Sequence, residues 1–403
     1  MKRTLPLVSG PTDAFPRRAG VRPGGPLPDV PIVLDEIDFY VTMKCNLNCD
    51  FCSVSANEYD HEELSLPRIL ELMREAKELG MKELHFSGGE PTLRDDLEDM
   101  IAYAEELGLH TRIITNGFKL DRERIQRLHP LGLDDIMISV DGFEKTHDVM
   151  RGNRFSFDRA LRVVRDCVDL GIRTRVSTVI YRENMAEAVP LLLFFRDMGV
   201  HIYSFFLGSP LGRGYRHRMG SVLNAEEWRN VCNDVRTAMR EHDVQLDVVL
   251  EQGFQYEDGT VVDRSRLQGR GTGCATLMED YHFLILRADG NLYQCVFFVT
   301  DGAPIGNVKE MGIKEALLHS RKEAIYEPFT VANDKCVSCS HQVPCGTGCR
   351  GYAYLYENDW LKTDPRCAKE GPETPKYYPL CPILKVNAAS GHFGGSTEQA
   401  LRR

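Results

Sequence analysis

The sequence predicts an α/β protein: a partial, open-sided (β/α)6 TIM-like barrel followed by a small cysteine-rich domain. Three observations carry this. Between residues 36 and 210, six strand-like runs alternate with helical ones. Three cysteines follow directly on the first strand. Residues 270–385 then hold eight of the chain's 13 cysteines, among frequent Gly and Pro and few regular helices.

The elements follow in order. Residues 1–35, rich in Pro, Gly and Arg, read as a loose arm. Glu36 to Met43 is the first strand. A helix starts after Ser65, a capping type, with Pro67 in its first turn. Leu66, Ile69, Leu70, Met73, Ala76 and Leu79 recur at helical spacing up to Gly80. Strands follow at Glu83–Ser87, His110–Thr115, Asp135–Val140, Arg173–Ile180 and Val200–Leu207. Helices fall between them at Asp96–Leu107, Asp121–Leu128, Phe157–Leu170 and Met185–Met198. Such alternation implies right-handed crossovers and a parallel sheet. Six units are fewer than the eight of a closed barrel; periodicity alone equally allows a doubly wound sheet. Residues 211–269 read as a helical linker, with a helix at Ala225–His242. Residues 386–403 read as a loose tail.

The chain has 403 residues, 42% of them hydrophobic, enough for one large α/β domain and a smaller one. The net charge of −10 argues against broad nucleic-acid binding, which needs Lys and Arg against phosphates. No apolar run approaches the ~20 residues of a membrane span, and no signal core follows the basic start. The expected compartment is the cytoplasm, where clustered thiols mean metal ligation or catalysis rather than disulfides.

Cys45, Cys49 and Cys52 lie in Met43-Lys44-Cys45-Asn46-Leu47-Asn48-Cys49-Asp50-Phe51-Cys52. Three thiolates on one loop can hold three irons of a four-iron cluster and leave the fourth open to a ligand. The competing occupant is structural zinc, which wants four ligands; the nearest spare one in sequence is His61. Ser87-Gly88-Gly89-Glu90-Pro91 ends the second strand: its glycines admit close backbone approach, and Glu90 can accept from an ammonium group. Thr115-Asn116-Gly117 ends the third strand as an Asn-Gly turn. Ser139 and Asp141 alternate onto one side of the fourth.

This cysteine spacing, with an aromatic before the last member, resembles the signature of the radical S-adenosylmethionine (SAM) superfamily. The resemblance covers roughly residues 36–210. It implies a 4Fe–4S cluster on Cys45, Cys49 and Cys52, whose open iron chelates SAM. It further implies adenine contact at Phe51, SAM-amino recognition by Gly88, Gly89 and Glu90, and SAM contacts at Ser139 and Asp141. His147 and Arg151 lie in a segment similar to one common in that family; Arg151 reads either as a partner for a carboxylate or as a solvated surface arginine. Thr178 reads either as a SAM contact or as a plain strand threonine.

The later cysteines run Cys274, Cys295, Cys336, Cys339, Cys345, Cys349 and Cys367, with an eighth at Cys381. The first seven resemble the SPASM domain, an extension that usually holds two auxiliary 4Fe–4S clusters. By that resemblance Cys274, Cys295 and Cys349 hold one cluster, and Cys336, Cys339, Cys345 and Cys367 the other. Cys381 either completes the first or stays a thiol. A pair of zinc ribbons is the competing reading. Cys167 and Cys232 sit in helical segments among apolar neighbours and read as core. Some SPASM enzymes place an Asp beside the second cysteine of the first auxiliary cluster as a base; here Val296 follows Cys295.

The resemblance implies a radical oxidoreductase or maturase that oxidises or crosslinks a peptide or protein, fed by a low-potential donor such as flavodoxin or ferredoxin. The second expectation is the same chemistry on a small molecule, such as a sugar or antibiotic precursor. A third class is a non-catalytic iron–sulfur electron-transfer protein.

Overall fold

The computed structural model of the chain describes residues 32–59, 61–209, 211–217, 219–251, 254–256, 283–299, 304–320 and 377–379. Its centre is a ten-stranded, largely parallel sheet. Seven strands lie side by side in chain order: β1 (Glu36–Thr42), β2 (Glu83–Gly88), β3 (His110–Thr115), β4 (Asp135–Ser139), β5 (Arg173–Ile180), β6 (Ile202–Leu207) and β7 (Asp247–Glu251). Every neighbouring pair among them is parallel. The crossovers carry helices α1 (Leu66–Glu78), α2 (Leu97–Glu106), α3 (Arg122–Leu128), α4 (Glu144–Arg151), α5 (Ser156–Asp169), α6 (Ala188–Asp197), α7 (Arg213–His217) and α8 (Ala225–Glu241).

Beyond them lie β8 (Phe254–Tyr256), β9 (Phe283–Arg287), β10 (Asn291–Tyr293), β11 (Gly306–Asn307), α9 (Ile313–Leu318) and β12 (Tyr377–Pro379). β9 pairs in parallel with the free side of β1, and β10 and β11 extend that side antiparallel. The sheet is open, with β11 and β7 at its edges. β8 and β12 form a separate antiparallel pair.

The six anticipated strands are present, and the sheet gains β7 from the stretch expected to be a helical linker. Asp247-Val-Val-Leu-Glu251 is too short for a stable helix and its valines favour a strand. Helix α4 also lies in a stretch to which the sequence pattern assigns no element. Ser65 has the extended backbone of an N-cap, yet its hydroxyl makes no capping bond. Asp121 does cap α3, accepting from Arg124 N, and Asn224 and Glu227 form a capping box on α8. The end of the N-terminal arm is fastened: Leu34 is buried and its N–H donates to Leu79 O at 3.2 Å. Residues 1–31, Cys274, Cys336, Cys339, Cys345, Cys349, Cys367, Cys381 and the tail lie outside the described residues.

Register sorts the two faces of the sheet. Leu286, Phe39, Phe86, Ile113 and Ile136 form a row across five strands. All are buried, in one core with the apolar stripes of the helices. One residue earlier, the row reads Ile285, Asp38, His85, Arg112 and Asp135. Alternation puts this charged row on the opposite face, close to the N-terminal ends of the strands. The C-terminal ends carry the cysteine loop.

Candidate active site

The cysteine loop leaves β1 and is tied down by residues remote in sequence. Thr42 Oγ1 donates to Glu63 Oε1 at 2.7 Å, and Met43 N donates to the same oxygen at 3.1 Å. Asn57 brackets the first cysteine: its Oδ1 accepts from Cys45 N at 2.7 Å and its Nδ2 donates to Cys45 O at 3.0 Å. Asn57 does so at φ +70°, a conformation uncommon for a side-chain-bearing residue. From α7, Arg213 donates its backbone N–H to Cys52 O at 2.9 Å, its Nε to Cys49 O at 2.8 Å, and an Nη1 bond to Ala56 O.

The second strand docks beneath this loop. Gly89 N donates to Thr42 O at 2.8 Å and Glu90 N to Lys44 O at 2.9 Å. The approach is so close that a Cβ on Gly89 would lie 2.1 Å from Lys44 O. Gly88, at φ +119°, would place one 2.4 Å from Thr42 O. The paired glycines thus set the height of the cysteine loop over the sheet.

Glu90 is buried and turned into the protein. Its Oε1 accepts from Thr92 Oγ1 at 2.5 Å, Thr115 Oγ1 at 2.7 Å and Thr92 N at 3.2 Å; its Oε2 accepts from Asn116 N at 2.8 Å. Burial raises its carboxyl above the usual range despite these bonds. Oε2, with a single donor, retains capacity for another. Asn116 in turn reaches the loop, with Nδ2 3.8 Å from Cys45 Sγ and 3.1 Å from Asn46 Oδ1.

Asp141 is fully buried. Its Oδ2 takes two bonds from Arg151, Nε and Nη2 each at 2.6 Å, and its Oδ1 accepts from Val179 N at 2.9 Å. His147 Nδ1 accepts from Asp141 N at 3.0 Å. Arg151 is therefore no solvated surface arginine. Its side chain is 11% exposed, and its guanidinium lies 5.2 Å from the Phe51 ring centroid, within electrostatic reach of Cys49 and Cys45. Phe51 packs with Leu47, Cys49, Met150, Tyr181 and Val222 in an apolar cluster separate from the main core. The Ser139 hydroxyl, partly exposed at the end of β4, has no partner among the described residues. Thr178 is buried and bonds Val140 O and Tyr203 Oη, a structural role.

Three observations bear on what the loop can hold. Cys45, Cys49 and Cys52 are free of disulfides on one loop. Burial pushes the Cys49 thiol up to about 12, against the pull of Arg151, and raises Cys45 as well. Both thiols stay protonated until a metal displaces the protons. The three sulfurs do not all lie within 4.8 Å of one another. Thiolates about 2.3 Å from a single zinc would sit about 3.8 Å apart, so the spread suits a larger, multi-iron group. Backbone N–H groups already point at sulfur, Leu47 N at 3.4 Å from Cys45 Sγ and Ala56 N at 3.5 Å from Cys52 Sγ. Asn46 Nδ2 is buried beside them with no partner among the described residues, a donor left for a bound group. The residues fit a cluster with an exposed face.

The sequence pointed to the cysteines, Gly88, Gly89, Glu90, Ser139 and Asp141, and the structure brings them to one end of the sheet. It missed Asn57, Glu63 and Arg213. Arg213 lies 164 residues from Cys49, and no spacing rule connects them. Of the SPASM-like ligands only Cys295 is described; it is buried after β10, and both Cys295 and Cys52 act electrostatically on Tyr40 of β1.

An open parallel sheet with three thiols on a glycine-cradled loop at its C-terminal ends suits an α/β enzyme that holds an iron–sulfur cluster. Residues 39–195 match the radical SAM superfamily and form a domain of that type. The chain thus carries a radical SAM domain and is an enzyme of the oxidoreductase kind; that superfamily uses a 4Fe–4S cluster and SAM. It is 28% identical to the Fe-coproporphyrin III synthase of Methanosarcina barkeri, over 81% of this chain and 86% of that one. It is 26% identical to the AdoMet-dependent heme synthase of Nitratidesulfovibrio vulgaris, over 82% of this chain and 91% of that one. Its fold is similar to that of Streptococcus suis SuiB bound to precursor peptide SuiA, with a TM-score of 0.67 at 19% identity over 86% of this chain and 75% of that one. Among the described residues no helix is long and apolar enough to cross a membrane.

Proposed function

We propose that the protein cleaves SAM reductively and uses the resulting 5′-deoxyadenosyl radical to take hydrogen from an iron tetrapyrrole. Cys45, Cys49 and Cys52 hold the catalytic cluster. Phe51, Gly88, Gly89, Glu90 and Ser139 line the SAM site, and Asp141 acts there by holding Arg151. The observation that carries the substrate class is the extent of the likeness. Two relatives named for iron–porphyrin synthesis align over more than 80% of this chain, well beyond the matched radical SAM domain. This supports the small-molecule expectation over the peptide one. The likeness to a peptide-bound structure supports the fold alone.

The SPASM-like cysteines, Cys295 among them, extend the proposal to two auxiliary clusters that accept the electron left by substrate oxidation. A flavodoxin or ferredoxin supplies the electron for SAM cleavage.

The test is an anaerobic assay of reconstituted full-length protein with SAM, reductant and iron coproporphyrin III. The expected result is 5′-deoxyadenosine formation that rises on adding the tetrapyrrole, with a matching mass change in it. Stimulation by a peptide or an amino sugar but not by the tetrapyrrole overturns the substrate class. No 5′-deoxyadenosine under any condition overturns the chemistry.

A further inference from the structure

Glu36, Asp38 and His85 meet at the N-terminal ends of β1 and β2, at the other end of the sheet from the cysteine loop. One oxygen from each carboxylate and a ring nitrogen of His85 lie within 4.8 Å of one another. Register brings them together: Asp38 pairs with His85, and Glu36 with Glu83. His85 Nδ1 is 2.9 Å from Asp38 Oδ1 and 3.1 Å from Glu36 Oε1. Ligands about 2.1 Å from one octahedral cation lie about 3.0 Å apart, and each carboxylate oxygen stands at about that spacing from the imidazole nitrogen.

Two further features point to a cation. Glu36 is 2% exposed, and its Oε2 has no hydrogen-bond partner among the described residues. A buried carboxylate oxygen left so is costly unless something binds it. On the far side of the ring, Glu83 Oε2 lies 3.4 Å from His85 Nε2. That is the outer carboxylate that turns the other ring nitrogen toward a metal. The Asp38 side chain is 25% exposed and gives the site an approach from solvent.

We propose that Glu36, Asp38 and His85 form a divalent-cation site, distinct from the cysteine centre. Imidazole with two carboxylates suits manganese or ferrous iron. Around the site, four carboxylates (Glu36, Asp38, Glu83 and Asp135) face two guanidiniums, Arg112 and Arg175, and the His110 ring 3.9 Å from Asp135. A bound dication offsets the excess.

The probe is Mn²⁺ added to the full-length, cluster-loaded protein after removal of loose metal, followed by electron paramagnetic resonance. The expected result is one equivalent bound per chain, with nitrogen coupling from one imidazole in pulsed spectra. Glu36→Gln weakens binding by about tenfold or more and leaves SAM cleavage within about twofold, since Glu36 takes no part in the SAM site. If that variant does not fold, the nitrogen coupling and a Mn²⁺-dependent rise in the wild-type melting temperature decide instead. Failure of the wild type to bind Mn²⁺ overturns the proposal and leaves a proton on His85 as the occupant. Bound Mn²⁺ without nitrogen coupling, or undiminished binding in folded Glu36→Gln, overturns it equally.

Discussion

At the C-terminal ends of the strands, Cys49 is buried and Cys45 partly so, beside an Asn46 Nδ2 with no partner among the described residues, and the loop is held in place chiefly through backbone groups. At the N-terminal ends, charge meets charge directly. Arg112 Nε binds Asp135 Oδ1 at 2.6 Å, and Arg175 Nε binds Asp135 Oδ2 at 3.2 Å. One end leaves polar capacity unspent inside a rigid frame. The other spends most of its charge on joining β3, β4 and β5, with Glu36 an exception. Ligand sites in parallel α/β sheets form at the C-terminal end because loops there can vary without unpairing the strands.

Removing Cys45, Cys49 and Cys52 together, as alanines, is the sharpest way to break this contrast. SAM cleavage falls to background, and the sheet still folds because no strand residue is lost. 5′-Deoxyadenosine release and circular dichroism measure the two sides. Cleavage at the wild-type rate refutes the assignment of the loop.

Gly89→Ala tests the frame rather than the ligands. A methyl at that point meets Lys44 O at 2.1 Å, so the loop must move by about 1 Å. SAM cleavage is expected to fall on the order of 100-fold, as a misplaced reacting group does, and iron retention falls with it. Activity close to wild type would show that the loop height is not critical.

Asp135→Asn probes the opposite end. Burial disfavours the charged Asp135 carboxylate, but Arg112 and Arg175 together hold its carboxyl below the usual range. Losing the charge leaves two largely buried guanidiniums facing an amide, at a cost of about 3–5 kcal/mol in stability. Chemical denaturation reads that loss, while the SAM-cleavage rate per folded molecule stays near wild type. A large drop in that rate would mean the two ends are coupled.

His147 gives the smallest effect and a pH signature. Burial first, then Arg151, lowers its pKa well below the ordinary 6.5, and its neutral Nδ1 accepts from Asp141 N–H. Below pH 6.5 the unfolded chain takes up a proton that the folded one refuses. Stability present above pH 6.5 is therefore lost as the pH falls, by up to about 1.4 kcal/mol per pH unit. His147→Asn, whose amide oxygen can still accept, flattens this slope. Urea midpoints between pH 7.5 and 5.5 measure it; an equally steep slope in the variant rules the residue out.

Local order alone was enough to read much of this molecule. The alternation of strands and helices, the spacing of Cys45, Cys49 and Cys52 and the Gly88-Gly89 pair each concern residues within a few positions of one another, where period and backbone freedom fix geometry. β7 lay hidden because five residues carry too little pattern. α4 was overlooked for its polar composition, with only His147 and Met150 buried.

What the tertiary structure decided was partnership at long range. It placed β9 against β1 nearly 250 residues away, set Arg213 under the carbonyls of Cys49, Cys52 and Ala56, and turned Arg151 inward onto Phe51 and Asp141. It also lined up Asp38, His85, Arg112 and Asp135 in one row. A sequence specifies the face a residue takes on its own strand through the two-residue repeat. Which residue stands opposite depends on strand order and register, and these are set by packing the whole sheet at once.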